Sequence, residues 1–228
     1  MPSPRSSASD VGRRLGVAAA PGGHGAAEVW FAWVGDHAAD LDRFNREYLS
    51  EAESAHLSGY RFREAAERYV VTRSLVRTVL SERLAIAPRD IRVSRTDTGK
   101  PVITEGVHFN LSHSGDLILL ALTSERAIGV DVERRRMVTK VHALTDRWLS
   151  ETERRHFDGL RALGESDSDA FLRVWSLKEA QLKALGVGIS GASSANLAGV
   201  DVVPLDGLLD RLDGPHAGQG YVGAVAFA

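Results

Sequence analysis

The sequence of 228 residues contains no cysteine. The absence of thiols excludes disulfides, thiolate zinc sites and a cysteine nucleophile, and it fits a reducing compartment. Long apolar runs are absent too, because no stretch approaches the roughly 20 residues of a membrane span. Neither sign of charge dominates, since 28 basic and 30 acidic residues give a net charge of −2. Such a balance gives no general attraction for nucleic acid.

The rest of the composition, 43% hydrophobic and 25% charged, is that of an ordinary globular protein with a substantial core. The first 27 residues are rich in Ala, Gly, Ser and Pro without periodicity, and we expect the segment 1–27 to be mostly disordered. Within it, Arg13-Arg14 is followed by an apolar stretch of only six residues. An export signal needs roughly seven to fifteen, so the expected location is cytoplasmic.

The predicted elements follow the same order twice: a strand, a long helix and further strands. In the first half the strand lies at 29–34, the long amphipathic helix at 64–84, and short strands at 91–94, 107–111 and 117–123. In the second half the strand lies at 128–133, helices at about 139–149, 151–163 and 167–185, and strands at 197–203 and 220–227. This order predicts two similar halves, 28–125 and 126–228.

Two short runs in the second half concentrate charged side chains. Asp131 and Glu133 alternate with valines in the predicted strand, so both project from one face. Glu179 and Lys183 are one helical turn apart and share a face, and Lys178 precedes Glu179. If the strand and the helix meet, three carboxylates converge beside two ammonium groups. Carboxylate oxygens together with substrate phosphates suit Mg²⁺, so the runs suggest metal-assisted chemistry on a phosphate ester.

Each part of this constellation also fits a plain structural role. The acidic strand face can be a solvated surface, and the Glu179–Lys183 pair can be an exposed ion pair worth about 0.3–0.5 kcal/mol. Ser112 and His113 form a poor catalytic pair, because neighbouring side chains on a strand point to opposite faces. His113 is better placed to contact an anion, or to be held by backbone in a turn. Lys100 lies in a Gly-Lys-Pro turn that is expected to expose it.

Three further patterns have simpler explanations than the functions they suggest. The GxGxxG string at 186–191 follows a helix rather than a strand, so a helix-ending glycine explains it better than a dinucleotide loop. The HxxxD string of His142 and Asp146, found in some acyltransferases, is an i,i+4 pair in a predicted helix. The arginines at 134–136 are a solvated stretch or a basic rim beside a phosphate site.

Taken in order, four runs are more specific than any one of them: GKP at 99–101, FNLSHS at 109–114, GVDVE at 129–133 and WSLKEAQLK at 175–183. From about residue 64 to residue 191, this order is similar to the Sfp-type phosphopantetheinyl transferases in their W/KEA variant. The resemblance implies an α+β fold of two pseudo-symmetric halves, each with a long helix packed on a small antiparallel sheet. It also implies that coenzyme A and Mg²⁺, with Mn²⁺ as an alternative ion, lie between the halves.

The activity implied by the resemblance uses a nucleophile that is not on this chain. A serine of an apo acyl or peptidyl carrier protein attacks the β-phosphate of coenzyme A, receives the 4′-phosphopantetheine arm and releases 3′,5′-ADP. Fatty-acid, polyketide and non-ribosomal peptide carriers all stay open as partners. We expect a monomer without nucleic-acid or membrane partners. Two alternatives are a non-catalytic module that binds coenzyme A or carrier proteins, and an HxxxD acyltransferase.

The resemblance also implies roles for individual residues. Asp131, Glu133 and Glu179 would hold Mg²⁺ in the C-terminal half. Glu179 would also be the general base, Lys183 would meet or protonate the leaving α-phosphate, and Lys178 would contact the pyrophosphate. The nucleotide end of coenzyme A would contact residues of the N-terminal half: Arg68, Lys100, Pro101, Ser112 and His113. Among these, Arg68 and His113 would share the 3′-phosphate.

Overall fold

The computed structural model describes residues 7–20, 25–104, 106–188, 191, 195–212 and 220–228. The strands of the first half are β1 (Arg13–Ala19), β2 (Ala26–Trp33), β3 (Ser94–Arg95), β4 (Pro101–Val102), β5 (His108–Ser114) and β6 (Leu117–Thr123). Those of the second half are β7 (Ile128–Arg134), β8 (Asp201–Pro204) and β9 (Tyr221–Phe227). The helices are α1 (Leu41–Glu47), α2 (Glu51–His56), α3 (Arg63–Leu84), α4 (Val141–Trp148), α5 (Glu151–Ala162), α6 (Asp167–Leu185) and α7 (Asp206–Leu209).

The two halves stack in four layers: helix, sheet, sheet, helix. The first sheet has the strand order β1-β2-β6-β5 and the second the order β7-β9-β8, and all neighbouring strands are antiparallel. Helix α3 packs on one face of the first sheet, whose other face packs against the second sheet. Helix α6 covers the outer face of the second sheet. The predicted α+β fold, with a long helix on an antiparallel sheet in each half, is confirmed.

The prediction of disorder for 1–27 is wrong for the part of that segment which the structure describes. Strand β1 pairs with β2 along its length, and Ala18 is buried in the core between the sheets. After Arg13 and Arg14 the strand continues with apolar or small residues that do not alternate with polar ones, so it shows no strand periodicity in the sequence. Residues 1–6 and 21–24, the remainder of that prediction, lie outside the described residues.

The strand predicted at 91–94 is also wrong in most of its length, because backbone pairing begins only at Ser94. Ile91 is buried, but its carbonyl accepts a hydrogen bond from Arg77 Nη1 at 3.0 Å rather than from a strand. A 3₁₀ turn at Pro88–Asp90 precedes it. The apolar side chains of this segment alternate as the sequence indicates, but its backbone pairs with a neighbouring strand only from Ser94 onward.

Helix α6 has the predicted bounds and clear stop and start signals. Ser166 caps its first turn by accepting from the Asp169 N–H at 3.1 Å, and Gly186 ends it with φ of 71°. The helix-ending glycine expected within the GxGxxG string is thus confirmed at Gly186, while Ile189 and Ser190 lie outside the described residues. No helix in the described part of the chain is long and apolar enough to cross a membrane.

Gly129 allows α6 to lie directly against β7. A Cβ atom at this position would be 2.0 Å from the Ala180 carbonyl oxygen and 2.4 Å from the Ala184 nitrogen. No side chain fits at such distances, and the two alanines keep the helix surface equally shallow. Helix and strand therefore meet with their backbones close together, which brings long polar side chains of α6 within reach of β7.

Candidate active site

The close approach of α6 to β7 brings Asp131 and Lys183 together. Asp131 is 5% exposed, and its Oδ1 accepts hydrogen bonds from Lys183 Nζ at 2.7 Å and from Ser112 Oγ at 2.9 Å. The Lys183 ammonium also donates to Ser112 Oγ and to the Val130 carbonyl, both at 3.1 Å. Strands β7 and β5 and helix α6 thus meet at one ion pair, in which Asp131 is buried and Lys183 is half-buried.

Two carboxylate oxygens at this meeting point accept no hydrogen bond from the described residues. They are Asp131 Oδ2 and Glu179 Oε1, and both are buried. Burial raises the pKa of Asp131, although the adjacent Lys183 opposes the rise. Burial also raises the pKa of Glu179, and the negative charges of Asp131 and Glu133 raise it further. Unsatisfied anionic oxygens in one another's field are the donor set that suits a hard divalent cation.

Glu133, the third predicted metal ligand, already has hydrogen-bond partners within the chain. Its Oε2 accepts from Ser114 Oγ at 3.2 Å and from Arg136 Nη1 at 2.7 Å. As the side chains lie, the described residues contain no group of three or more His, Asp or Glu side chains that could hold a metal ion. The orphan oxygens of Asp131 and Glu179 fit such an ion, and the complete set of three ligands stays a prediction.

Lys100 reaches across from the first half to the second. Its ammonium donates to the carbonyls of Ile128 at 2.9 Å, Lys183 at 2.7 Å and Ala184 at 3.3 Å. Burial lowers the pKa of Lys100 to about 8. All three N–H donors are engaged, so the expectation that the turn exposes this lysine is wrong. Its contact with a nucleotide stays a prediction, as does that of Pro101 at the start of β4.

His113 and Arg68 lie close enough for their charges to interact. Partial loss of hydration lowers the pKa of His113, and the positive charges of Arg68 and Lys183 lower it further. Arg68 on α3 therefore places a positive charge beside the His113 imidazole on β5, whose lowered pKa keeps it mostly neutral at pH 7. The shared binding of a phosphate by Arg68 and His113 remains a prediction to which this arrangement gives support.

Lys178 does not join the other predicted site residues. It is buried, and its ammonium pairs with the Glu153 carboxylate at 2.9 Å and 3.2 Å. Glu153 also completes the capping box predicted with Ser150 at the start of α5, which is confirmed. Lys178 thus ties α5 to α6. A contact between its ammonium and a pyrophosphate receives no support from this geometry.

The HxxxD string and the arginine run have ordinary partners. His142 Nε2 lies 3.2 Å from Asp167, and both side chains are exposed. The pairing with Asp167 leaves no catalytic arrangement of His142 with Asp146. Arg135 pairs with Asp169 at 3.0 Å on the surface, which agrees with a solvated stretch near the site.

Comparison with known proteins places these features in a family. The N-terminal model of the 4′-phosphopantetheinyl transferases matches residues 39–125, and the model of their superfamily matches residues 127–213. A Synechocystis protein, named as one of these transferases, is 31% identical over 174 residues, which cover 74% of this chain and 69% of that protein. The chain belongs to the 4′-phosphopantetheinyl transferase superfamily.

Two further relatives are 4′-phosphopantetheinyl transferases by name. HetI of a Nostoc species is 33% identical over 156 residues, which cover 66% of this chain and 65% of HetI. Sfp of Bacillus subtilis is 32% identical over 145 residues, which cover 63% of this chain and 62% of Sfp. The matched part therefore spans slightly less than two thirds of the length of either relative. The resemblance to the Sfp type that the four sequence runs indicated is confirmed.

Two polar residues beside the phosphopantetheinyl transferase motifs have roles that sequence reasoning missed. Asn110 and Ser114 lie on the same face of β5 as Ser112, and both contact β7. The alternation of polar residues at 110, 112 and 114 was the available signal, because such residues share one face of a strand. A separate open recess of about 550 Å³, lined by Ser50, Arg77 and residues 89–93, contains none of the predicted site residues.

Proposed function

We propose that this chain transfers the 4′-phosphopantetheine arm of coenzyme A to a serine of an apo acyl or peptidyl carrier protein. The observation that carries the proposal is the ion pair of Lys183 with the buried Asp131, together with the unbonded oxygens of Asp131 and Glu179, in a chain of this superfamily. The carrier serine attacks the β-phosphorus, a new P–O bond forms, and the pyrophosphate bridge breaks. The leaving 3′,5′-ADP takes the electron pair of the broken bond.

The chain's own residues handle the two proton transfers. Glu179 accepts the serine proton, and its raised pKa makes it a better base than an exposed glutamate. Asp131 orients the Lys183 ammonium at 2.7 Å. Lys183 would act on the leaving phosphate as a cation, and as a proton donor after it releases Ser112 or the Val130 carbonyl, which it also bonds. A base and a leaving-group acid on adjacent turns of one helix can act on opposite sides of the reacting phosphorus only if the substrate lies along α6.

Mg²⁺, or Mn²⁺ in its place, would be held by Asp131, Glu133 and Glu179. When bound, it supplies neutralisation of the charge that develops on the pyrophosphate oxygens. The orphan oxygens of Asp131 and Glu179 support this assignment. Glu133 would contribute the oxygen that Ser114 and Arg136 leave open.

We also propose that the N-terminal half binds the nucleotide of coenzyme A, and the structure supports some of the predicted contacts more than others. Arg68 and His113 act on one another electrostatically and would share the 3′-phosphate. Lys100 and Lys178 have partners within the chain and could bind a phosphate only after leaving them. The main nucleotide contacts are therefore those of Arg68 and His113.

The decisive experiment incubates the purified chain with coenzyme A, Mg²⁺ and a panel of apo acyl and peptidyl carrier proteins. We expect intact-mass spectrometry to show one added phosphopantetheine on at least one carrier. No mass shift across the panel would refute the proposal. Asp131→Ala and Glu179→Ala should each lower turnover about 10²-fold or more, since both remove charge stabilisation of the transition state. Asp42→Ala, at an exposed position on α1, is the matched control.

The alternative is a module that binds coenzyme A or carriers without catalysis. A binding module needs neither a base nor a leaving-group acid, so the presence of Glu179 and Lys183 beside Asp131 disfavours it. Calorimetry separates the two, because tight binding of coenzyme A without turnover would support the module. The acyltransferase alternative requires that His142→Ala abolish activity, and we expect little effect there.

Partners and location are part of the same proposal. Carrier proteins are typically acidic, so the arginines at 134–136 or Arg154 and Arg155 would dock one, and binding should weaken with salt. Binding that is independent of salt would count against this docking. A monomeric state and a cytoplasmic location stay predictions, which sedimentation and cell fractionation test.

A further inference from the structure

Side chains of β5, rather than its backbone, bond the edge of β7. Strand β7 is an edge of its sheet and pairs with β9 on one side. Its alternate backbone N–H groups, which point to the other side, have no strand partner in that sheet. Three alternate N–H groups donate to three alternate side chains: Val130 N to Asn110 Oδ1 at 2.9 Å, Val132 N to Ser112 Oγ at 3.3 Å and Arg134 N to Ser114 Oγ at 2.9 Å. We call these three bonds the seam. The seam fixes β7 along the first half in a single register.

Both serine hydroxyls of the seam have a second bond, to a carboxylate. Ser112 Oγ donates to Asp131 Oδ1 at 2.9 Å, and Ser114 Oγ donates to Glu133 Oε2 at 3.2 Å. Each hydroxyl thus holds a backbone position of β7 and the side chain of the residue just before it. Asn110, in the part of the chain that the structure describes, accepts from the backbone of β7 but bonds no carboxylate there.

The hydrogen bonds of Ser112 leave one oxygen of Asp131 for a ligand. Its hydroxyl accepts from Val132 N and from Lys183 Nζ and donates to Asp131, which uses both lone pairs and the one proton. Ser112 and Lys183 together saturate Asp131 Oδ1, whereas Oδ2 is buried and accepts nothing from the described residues. A hydroxyl in that state has nothing left with which to bind a nucleotide.

We propose that Ser112 and Ser114 are positioning residues, which aim Asp131 Oδ2 and the second oxygen of Glu133 at the divalent cation. The proposal rests on the proposed function and changes the role of Ser112, which the family resemblance assigns to the nucleotide. It makes the first half a structural part of the metal site, although all three predicted ligands belong to the second half. Loss of either hydroxyl removes one of the two hydrogen bonds that hold the carboxylate, and leaves Lys183 or Arg136 alone to orient it.

The test measures binding of Mn²⁺ by the full chain, with coenzyme A saturating, through the electron paramagnetic resonance of the free ion. Ser112→Ala and Ser114→Ala should weaken Mn²⁺ binding about 10-fold or more, as loss of outer-shell partners commonly does. The KM for coenzyme A should stay near the wild-type value. Ser114→Thr keeps a hydroxyl and should restore most of the affinity. Ser94→Ala, on the exposed hairpin strand β3, is the control.

Several outcomes would overturn the positioning role. One is an unchanged Mn²⁺ affinity with a raised KM for coenzyme A, which would return Ser112 to the nucleotide. Another is wild-type protein that binds no Mn²⁺. If Ser112→Ala does not fold, the Mn²⁺ affinities of Ser114→Ala and Ser114→Thr alone test the positioning role. Failure of the wild-type chain to modify any carrier while Mn²⁺ binding still depends on the hydroxyls would refute the proposed function and leave the positioning role intact.

Discussion

At the scale of single residues, Glu179 is placed for reaction at a cost in stability. Its buried Oε1 has no hydrogen-bond partner in the described chain, and Asp131 and Glu133 repel its charge. We expect Glu179→Gln to raise the thermal midpoint of the metal-free protein by about 2–4 °C, which corresponds to about 1 kcal/mol at this size. The same change should abolish transfer. A lower midpoint, measured by calorimetry, would show that the carboxylate is favourably held.

The raised pKa of Glu179 also predicts how this difference depends on pH. The folded protein holds the Glu179 proton more tightly than the unfolded chain does, so stability contributed by this group falls as pH rises past its ordinary pKa. The advantage of Glu179→Gln over wild type should therefore be small near pH 4 and grow toward pH 7. Chemical denaturation of both proteins across this range, without metal, measures it. A constant difference would contradict the prediction.

At the scale of elements, the site depends on the distance between α6 and β7. A methyl group at position 129 would collide with the backbone of α6 at Ala180 and Ala184. Gly129→Ala should cost at least about 1–3 kcal/mol, the usual penalty of overpacking. It should also reduce activity strongly, because displacement of α6 separates Lys183 from Asp131.

Gly159 provides the matched control for that change. It lies within α5, and a Cβ there would meet no atom within 4 Å. Gly159→Ala should therefore stabilise the protein by about 0.5–1 kcal/mol through helix propensity, without an effect on activity. Denaturant titration of the two variants tests the pair, and equal effects would contradict the packing argument.

The elements also show what sequence could predict. Helix α6 lies where it was predicted, at about 167–185, and Gly186 ends it as expected from the sequence. Strand β1 was missed, since its alanines and glycine give no alternating pattern, although it pairs with β2 on both sides of an irregularity between Arg14 and Gly16. Periodicity detects elements through large apolar side chains, so small-residue strands escape it.

At the scale of the whole molecule, Lys100 joins the halves at the end of α6. Its folded pKa of about 8 lies below its ordinary value of 10.5, so between these values the unfolded chain binds more protons. Wild-type stability should therefore rise relative to Lys100→Met as pH increases from 8 toward 10. Urea denaturation of both proteins at several pH values measures the difference. A stability difference that does not change with pH would mean that the three carbonyls stabilise the charged Lys100 as well as water does, and that its pKa is not lowered.

The site was predictable in its chemistry and less so in its contacts. The spacing of two runs gives each a common face, so the sequence indicated that Asp131 and Lys183 would lie together if the strand and the helix met. The partner of Lys178 did not follow from the sequence, because Glu153 lies 25 residues away on another helix. Nor did the saturation of the Ser112 hydroxyl, which depends on how two sheets meet. Such bonds depend on the packing of elements that are distant in the sequence, and the local sequence pattern does not predict that packing.

The seam has a consequence for self-association. Backbone edges of β-sheets invite pairing with strands of other molecules, and here β5 and β7 cover each other's edge. In the described residues, the other edges of the two larger sheets are β1 and β8. Strand β1 carries Arg13 and Arg14 and an irregular register at Gly16, while β8 has four residues and ends in Pro204. Each of these two edges therefore bears a charge, bulge or proline that discourages intermolecular strand addition, and the two larger sheets should resist amyloid-like aggregation while the protein is folded.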